Sequence, residues 1–217
     1  MQTYLEELDE RNDHIHAALE KDANGRFARY AVCFRSSINA LKKCGVHWYS
    51  VDGCATTHPI AKAMQLRVLV GRTSENTSIV LAWSFEKSKS PDSYAWLAQQ
   101  CRAAGFHELM EQTQSKGYTP VLFTDGSREA LQFSRLFPGL HHAQCAKHLA
   151  KSIQRTLRAL RRRGKSVPAC TDESLIGVCQ ALTCKSFHDK LAGLKTTNAE
   201  AACAYWTTQS QPFQCIT

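Results

Sequence analysis

The chain has 217 residues, 27 basic and 19 acidic, with a formal charge of +8 at neutral pH. Hydrophobic residues make up 43%, which suits one packed domain or a core with an appendage and is too much for a disordered chain. No apolar run approaches the ~20 residues needed to span a bilayer. The start, MQTYLEELDERND, is too acidic and polar for a secretory signal, so membrane, secreted and collagen-like classes are not expected.

Residues 1–21 are predicted to be helical, with Tyr4, Leu5, Leu8, Ile15 and Leu19 at mixed three- and four-residue spacings. Asp22-Ala23-Asn24-Gly25 is a turn signal. Arg26–Phe34 alternates loosely and is predicted as a strand. Ser36–Lys43 is predicted as a helix stopped at Cys44-Gly45. Strands are expected at Val46–Val51, Gln65–Val70 and Ser78–Phe85. Ser90-Pro91-Asp92 starts a helix with proline in its first position, and Tyr94, Leu97, Ala98 and Cys101 fill one face. A fourth strand, Val121–Thr124, follows the turn at Lys116–Pro120. A helix over Ser127–Leu136 and a short strand at His141–Gln144 come next.

From Ala146 the pattern is helical. Leu149, Ile153, Leu157 and Leu160 form an apolar stripe opposite Lys151, Arg155, Arg158 and Arg162. Further helices are expected near Asp172–Ala181, Ser186–Leu194 and Ala199–Trp206. The N-terminal two-thirds therefore reads as mixed α/β and the C-terminal third as all helix, with no internal repeat.

The positive charge is concentrated. Between Ala130 and Thr171 there is no acidic residue, and the same stretch holds Arg135, Lys147, Lys151, Arg155, Arg158, Arg161, Arg162, Arg163 and Lys165. The rest of the chain is nearly balanced. Such a patch points to a polyanion, nucleic acid first, or else to a solvated helix face. The ten cysteines, with no secretory signal, point to a reducing compartment. Most are expected to be small buried residues, with a few available as metal ligands.

Two aspartates each end an apolar strand and precede glycine: Asp52 in Tyr49-Ser50-Val51-Asp52-Gly53, and Asp125 in Leu122-Phe123-Thr124-Asp125-Gly126. Functional groups gather at strand ends in open α/β sheets, and a carboxylate there suits a hard cation such as Mg²⁺ or Mn²⁺. Asp-Gly is also a common turn dipeptide, so either residue alone reads equally as a turn. Cys145-Ala-Lys-His148 puts a thiol and an imidazole three residues apart, where both could bind one zinc. His141, His142, Cys179 and Cys184 are candidates for its other ligands. A packed thiol and a partnered histidine are the alternative.

Taken in order, these features resemble the transposase domain of Mutator-like elements. The carriers are Asp52-Gly53-Cys54-Ala55-Thr56 after an apolar strand, and Ile79-Val80-Leu81-Ala82-Trp83-Ser84-Phe85-Glu86. Ser93-Tyr94-Ala95-Trp96-Leu97 on a helix and Asp125-Gly126-Ser127-Arg128-Glu129-Ala130 follow. Phe137-Pro138, His141-His142, Cys145 and His148 close the set. The match runs from about Gly25 to Ile153 and continues weakly through Phe187–Trp206.

The resemblance implies an RNase H-like mixed sheet with flanking helices, followed by an all-helical C-terminal segment. It divides the chain into an N-terminal helical segment (1–24), the transposase core (25–163) and a helical segment resembling the start of an insertion (164–217). It implies a nuclear or otherwise intracellular DNA transposase of the DDE type, acting on DNA as a monomer or homo-oligomer without membrane attachment. In that chemistry two aspartates and a glutamate hold two divalent metals, Mg²⁺ or Mn²⁺, and phosphodiester cleavage and strand transfer follow. Asp52 and Asp125 match the aspartates, and Cys145 and His148 match the Cys-x-x-His, with zinc as a further cofactor. The family's glutamate lies beyond the insertion, so it is expected outside this chain. Glu200 is the first tail candidate and Glu173 the second, though an acid in a first helical turn also complements the helix dipole.

Lys147, Lys151, Arg155, Arg158, Arg161, Arg162 and Arg163 are the expected DNA contacts. The alternative is a catalytically inactive, transposase-derived DNA-binding protein. An unrelated RNase H-like nuclease would need another carboxylate near the pair, with Glu75 or Glu86 in that role.

Overall fold

The computed structural model describes residues 7, 12–46, 48–55, 64–87, 90–127 and 129–164. Two compact units divide the chain, Met1–Ala143 and Gln144–Thr217.

The first unit is built on a mixed sheet. Its strands are β1 (Ile15–Lys21), β2 (Phe27–Phe34), β3 (Trp48–Ala55), β4 (Gln65–Arg72), β5 (Ser78–Glu86), β6 (Val121–Thr124) and β7 (His141–Gln144). The sheet order is β1-β2-β5-β4-β3-β6-β7. The pairs β1–β2, β2–β5, β4–β5 and β3–β4 are antiparallel, whereas β3 and β6 run parallel. A parallel neighbour requires a crossover. Helices α2 (Pro91–Ala103) and α3 (Phe106–Ser115) supply it between β5 and β6. Helix α1 (Arg35–Cys44) joins β2 to β3, and the short α4 (Leu131–Arg135) joins β6 to β7.

Strand alternation sorts the residues onto two faces. Ala31, Cys33, Tyr49, Val51, Leu69, Ala82 and Leu122 point to one face and are buried. Ile38 and Leu41 of α1, Tyr94, Leu97 and Cys101 of α2, and Phe106 and Leu109 of α3 join them in the same core. The rings of Tyr49, Phe106 and Phe137 meet edge to face at centroid distances of 5.0 and 5.1 Å. The other face carries half-buried Tyr30, Val32, Leu66, Val68, Trp48, Trp83, Phe85 and Phe123. Trp83 packs against Tyr30 at 4.8 Å, and Trp48 against Phe123 at 5.3 Å. Trp96 sits in the core, as expected for a mid-helix aromatic.

Local signals explain the helix ends. Ser90 caps α2 by accepting the Ser93 N–H at 3.1 Å, with Pro91 in the first turn. Gly45, with φ of +78°, ends α1 and donates its N–H to the Leu41 carbonyl at 2.9 Å. Gly71 is required by contact rather than by its backbone angles. A Cβ there would lie 2.3 Å from Leu41 Cδ1, so α1 crosses β4 where no side chain intervenes.

Several expectations are corrected. The strand expected at Val46–Val51 runs over Trp48–Ala55, so Asp52 lies within it rather than at its end, because Gly53, Cys54 and Ala55 continue the pairing with β4. The predicted helix over 1–21 fails for Ile15–Lys21, which forms β1 and pairs with β2 from Ile15↔Phe34 to Lys21↔Phe27. His16, Ala18 and Glu20 alternate with Ile15, Ala17 and Leu19, a period-two pattern that a three- and four-residue reading overlooks. The sheet consequently begins at Ile15, ten residues before the expected start of the core at Gly25. The helix expected over Ser127–Leu136 contracts to Leu131–Arg135, because Asp125, Gly126 and Ser127 form a turn.

In the second unit, helix α5 (Ala146–Arg162) buries Ala150, Ile153 and Leu157. Leu149 and Leu160, expected in the stripe, are half-buried at its margin. Cys145 does not share the helix with His148 as expected: it is the residue immediately before α5, in an extended conformation. The helices expected beyond Asp172, together with Glu173, Cys179, Cys184, Glu200 and Trp206, lie outside the described residues. No described helix is long and apolar enough to cross a membrane.

Candidate functional site

The parallel pair β3–β6 sets the position of both aspartates. Its register is Tyr49↔Leu122 and Ser50↔Phe123. Continued two residues along both chains, the same register brings Asp52 beside Asp125. Asp52 lies within β3, which runs on to Ala55, whereas β6 ends at Thr124 and Asp125 is the first residue beyond it. Neighbouring strands lie about 5 Å apart, and on β3 Asp52 follows the alternation of Ser50, opposite to the helix-covered face.

Each carboxylate is turned by its own backbone. Asp52 is exposed, and its Oδ1 accepts the Gly53 N–H at 2.8 Å. Asp125 is half-buried, and its Oδ1 accepts the Ser127 N–H at 3.0 Å, an Asx turn. Gly126 within that turn has φ of +78°, a left-handed conformation that glycine adopts without a Cβ clash. Two adjacent carboxylates attract a hard divalent cation and oxygen-rich ligands. Carboxylate oxygens such as those of Asp52 and Asp125 are the donor type that the expected Mg²⁺ or Mn²⁺ would take. Among the described residues, no group of three or more His, Cys, Asp and Glu side chains converges to complete a site.

Two neighbours of this edge were not legible as such. Arg67 on β4 and Glu86 on β5 form an ion pair on the helix-covered face, at 1% and 2% exposure. The Ser84 hydroxyl donates to Glu86 Oε1 at 2.9 Å, and the Arg67 guanidinium lies 4.6 Å from the centre of the Tyr94 ring. A Cβ at Gly53 would sit 3.4 Å from Arg67 Cγ and 3.8 Å from the Tyr94 hydroxyl. The pair thus underlies the Asp52-Gly53 segment of β3 from behind. This removes Glu86 as a third metal carboxylate: it points to the opposite face and is neutralised by Arg67. Glu75 is removed too, because it lies in the β4–β5 turn beyond Arg72, whose partner is Trp48 at the far end of β3. An arginine inside the apolar strand Gln65–Val70, with a glutamate ending the next strand, was the available signal for this pair.

The second neighbour is His142 on β7. Its Nε2 lies 2.7 Å from Thr124 Oγ1, which also accepts the Gly126 N–H at 3.0 Å. Burial holds the imidazole pKa below its usual value, aided by His141, while the Asp125 charge acts in the opposite direction. His142 was a candidate zinc ligand, and in the structure its Nε2 is engaged by Thr124.

Five thiols fall among the described residues. Cys33 and Cys101 are buried, Cys44 and Cys54 exposed, and Cys145 intermediate. The expectation that most cysteines are core residues holds for two of these five.

The basic residues fall as the periodicity requires. Lys147, Lys151, Arg155, Arg158, Arg161, Arg162 and Arg163 are all exposed. At 3.6 residues per turn, the first six occupy an arc of roughly 120° on α5. The buried Ala150, Ile153 and Leu157 lie outside that arc, and α5 carries no acidic residue.

No family model and no curated protein matches this chain.

Proposed function

We propose that this chain is the core of a DDE-type DNA transposase related to Mutator-like elements, acting through divalent metal on DNA phosphodiesters. The observation that carries the reading is the parallel register of β3 and β6, which, continued by two residues, would bring Asp52 level with Asp125. Strand order supports it as well. From β3 onward, three antiparallel strands, a helical crossover, β6 parallel to β3 and β7 outside it would suit an RNase H-like core, to which β1 and β2 add two strands at the other edge. In the proposed site, Asp52 and Asp125 would hold Mg²⁺ or Mn²⁺. Bound metal ions would stabilise the attacking and leaving oxygens of a phosphodiester displacement. The third carboxylate belongs to the region beyond the core, with Glu200 the candidate within this chain. Cys145 and His148 remain a proposed half-site for zinc. The protein would act in the nucleus.

A second reading is favoured by α5. Six exposed cations on one helix, with Arg163 at its C-cap, can bind DNA phosphates without any metal, which would make this a transposase-derived DNA-binding protein that no longer cleaves.

Nicking of supercoiled plasmid in Mn²⁺ separates the two. The transposase reading expects nicking by the wild type that both Asp52→Asn and Asp125→Asn abolish. Nicking that persists in either variant contradicts it. DNA binding without any nicking supports the second reading.

A further inference from the structure

We propose that Thr124 and His142 are positioning residues for Asp125: together they lock the strand-end turn from which the second carboxylate projects. The inference rests on the cation-site reading given above.

The turn needs such a lock. Asp125 follows the last residue of β6, and the chain leaves the sheet immediately, through Gly126 in the left-handed region. The Asx bond from Ser127 N–H to Asp125 Oδ1 fixes the turn on one side only. On the other side, Thr124 is 2% exposed and its Oγ1 accepts the Gly126 N–H. A threonine hydroxyl has one proton to donate and two lone pairs. With the Gly126 N–H on one lone pair, the hydroxyl still shares a hydrogen bond with His142 Nε2 at 2.7 Å, as donor to one imidazole tautomer or as acceptor from the other. The chain of hydrogen bonds then runs from Gly126 N–H through Thr124 Oγ1 to His142 Nε2. A residue from the neighbouring strand β7 thereby holds the orientation of the hydroxyl, and the hydroxyl holds the turn.

A structural hydrogen bond alone would stabilise the fold without affecting a cation. A positioning role makes the cation affinity depend on the hydroxyl. Thr124→Val keeps the shape of the side chain and removes Oγ1, while Thr124→Ser keeps Oγ1. His142→Gln keeps a polar group at the site should the valine variant fold poorly, and His142→Phe removes it.

The test combines amide exchange at Gly126 with Mn²⁺ affinity by electron paramagnetic resonance. Thr124→Val should speed Gly126 exchange and weaken Mn²⁺ by about tenfold, the loss of one hydrogen bond. Thr124→Ser should recover both to within about twofold. His142→Phe should weaken Mn²⁺ in the same direction, and His142→Gln less. Unchanged Gly126 exchange in Thr124→Val overturns the inference. So does Mn²⁺ binding that Thr124→Val and His142→Phe retain at wild-type strength, and in that case the cation-site reading stands. Absence of Mn²⁺ binding in the wild type overturns that reading and the inference together.

Discussion

Substituting Arg155 and Arg158 by glutamine should halve the salt dependence of DNA binding. Lys151, Arg155, Arg158 and Arg162 succeed each other on one face of α5, and all are exposed. They span twelve residues, eleven rises of 1.5 Å or about 17 Å of helix. That length matches several phosphates of a duplex, so about four contacts are expected, giving a slope of log K against log salt near −3.6. Raising salt from about 50 to 200 mM should then weaken wild-type binding by about 150-fold. With two contacts removed, the slope should fall to about −1.8 and the loss to about 12-fold. Fluorescence anisotropy of a labelled duplex across a salt series reads both numbers. Phosphate contacts carry no sequence information, so two unrelated duplexes should give the same slopes. A wild-type slope near zero, or a double variant with an unchanged slope, would refute the assignment of this face to DNA.

Three predictions concern the scaffold of the site. Glu86→Gln leaves the Arg67 charge buried without its counter-ion and should destabilise the fold by about 3–5 kcal/mol in urea unfolding. Replacing both partners by apolar residues of similar volume should recover most of that loss, and a Glu86→Gln effect below about 1 kcal/mol would contradict the buried pair. Gly71→Ala places a methyl against Leu41 and Leu81 and should lower stability by about 1–3 kcal/mol, whereas a stabilised variant would show that α1 does not cross there. His142 has a folded pKa below its unfolded value of about 6.5, so the unfolded chain binds the extra proton first. Its contribution to stability is therefore full above about pH 6.5 and declines as pH falls through and below that value. Thermal midpoints should drop more between pH 7.5 and 5.5 in the wild type than in His142→Gln, and equal drops would contradict the direction of the shift.

Much of the sheet was legible because strands and turns alternate sharply in this sequence. Val121–Thr124 and His141–Gln144 were bounded by Pro120, Asp125-Gly126 and Pro138-Gly139, and their limits match the structure. The strands at Gln65 and Ser78 were found from β-branched runs and proved one or two residues longer. Residues 15–21 were missed because Ile15 and Leu19, spaced by four, satisfy a helix as readily as a strand, and only pairing with Phe27–Phe34 decides between them. Asp125 was legible as a strand end, whereas Asp52 lies within β3, and the parallel pairing of their strands was not legible. It depends on β6 crossing the helices to pair with β3 rather than with β5, a fact of topology rather than of spacing. Arg67 and Thr124 carry no motif and Glu86 was read as the end of one, so their roles arise only when β4, β5, β6 and β7 are assembled. The basic face of α5, by contrast, is a local periodicity and was readable residue by residue.

The most direct measurement is a calorimetric titration of Mn²⁺ into the wild type, Asp52→Asn, Asp125→Asn and the double variant. One cation site shared by Asp52 and Asp125 predicts binding in the wild type and its loss in each single variant. It further predicts that the double variant loses no more than either single one. Binding that survives in one single variant, or losses that simply add, would mean that Asp52 and Asp125 do not form one site, and the central claim would fall.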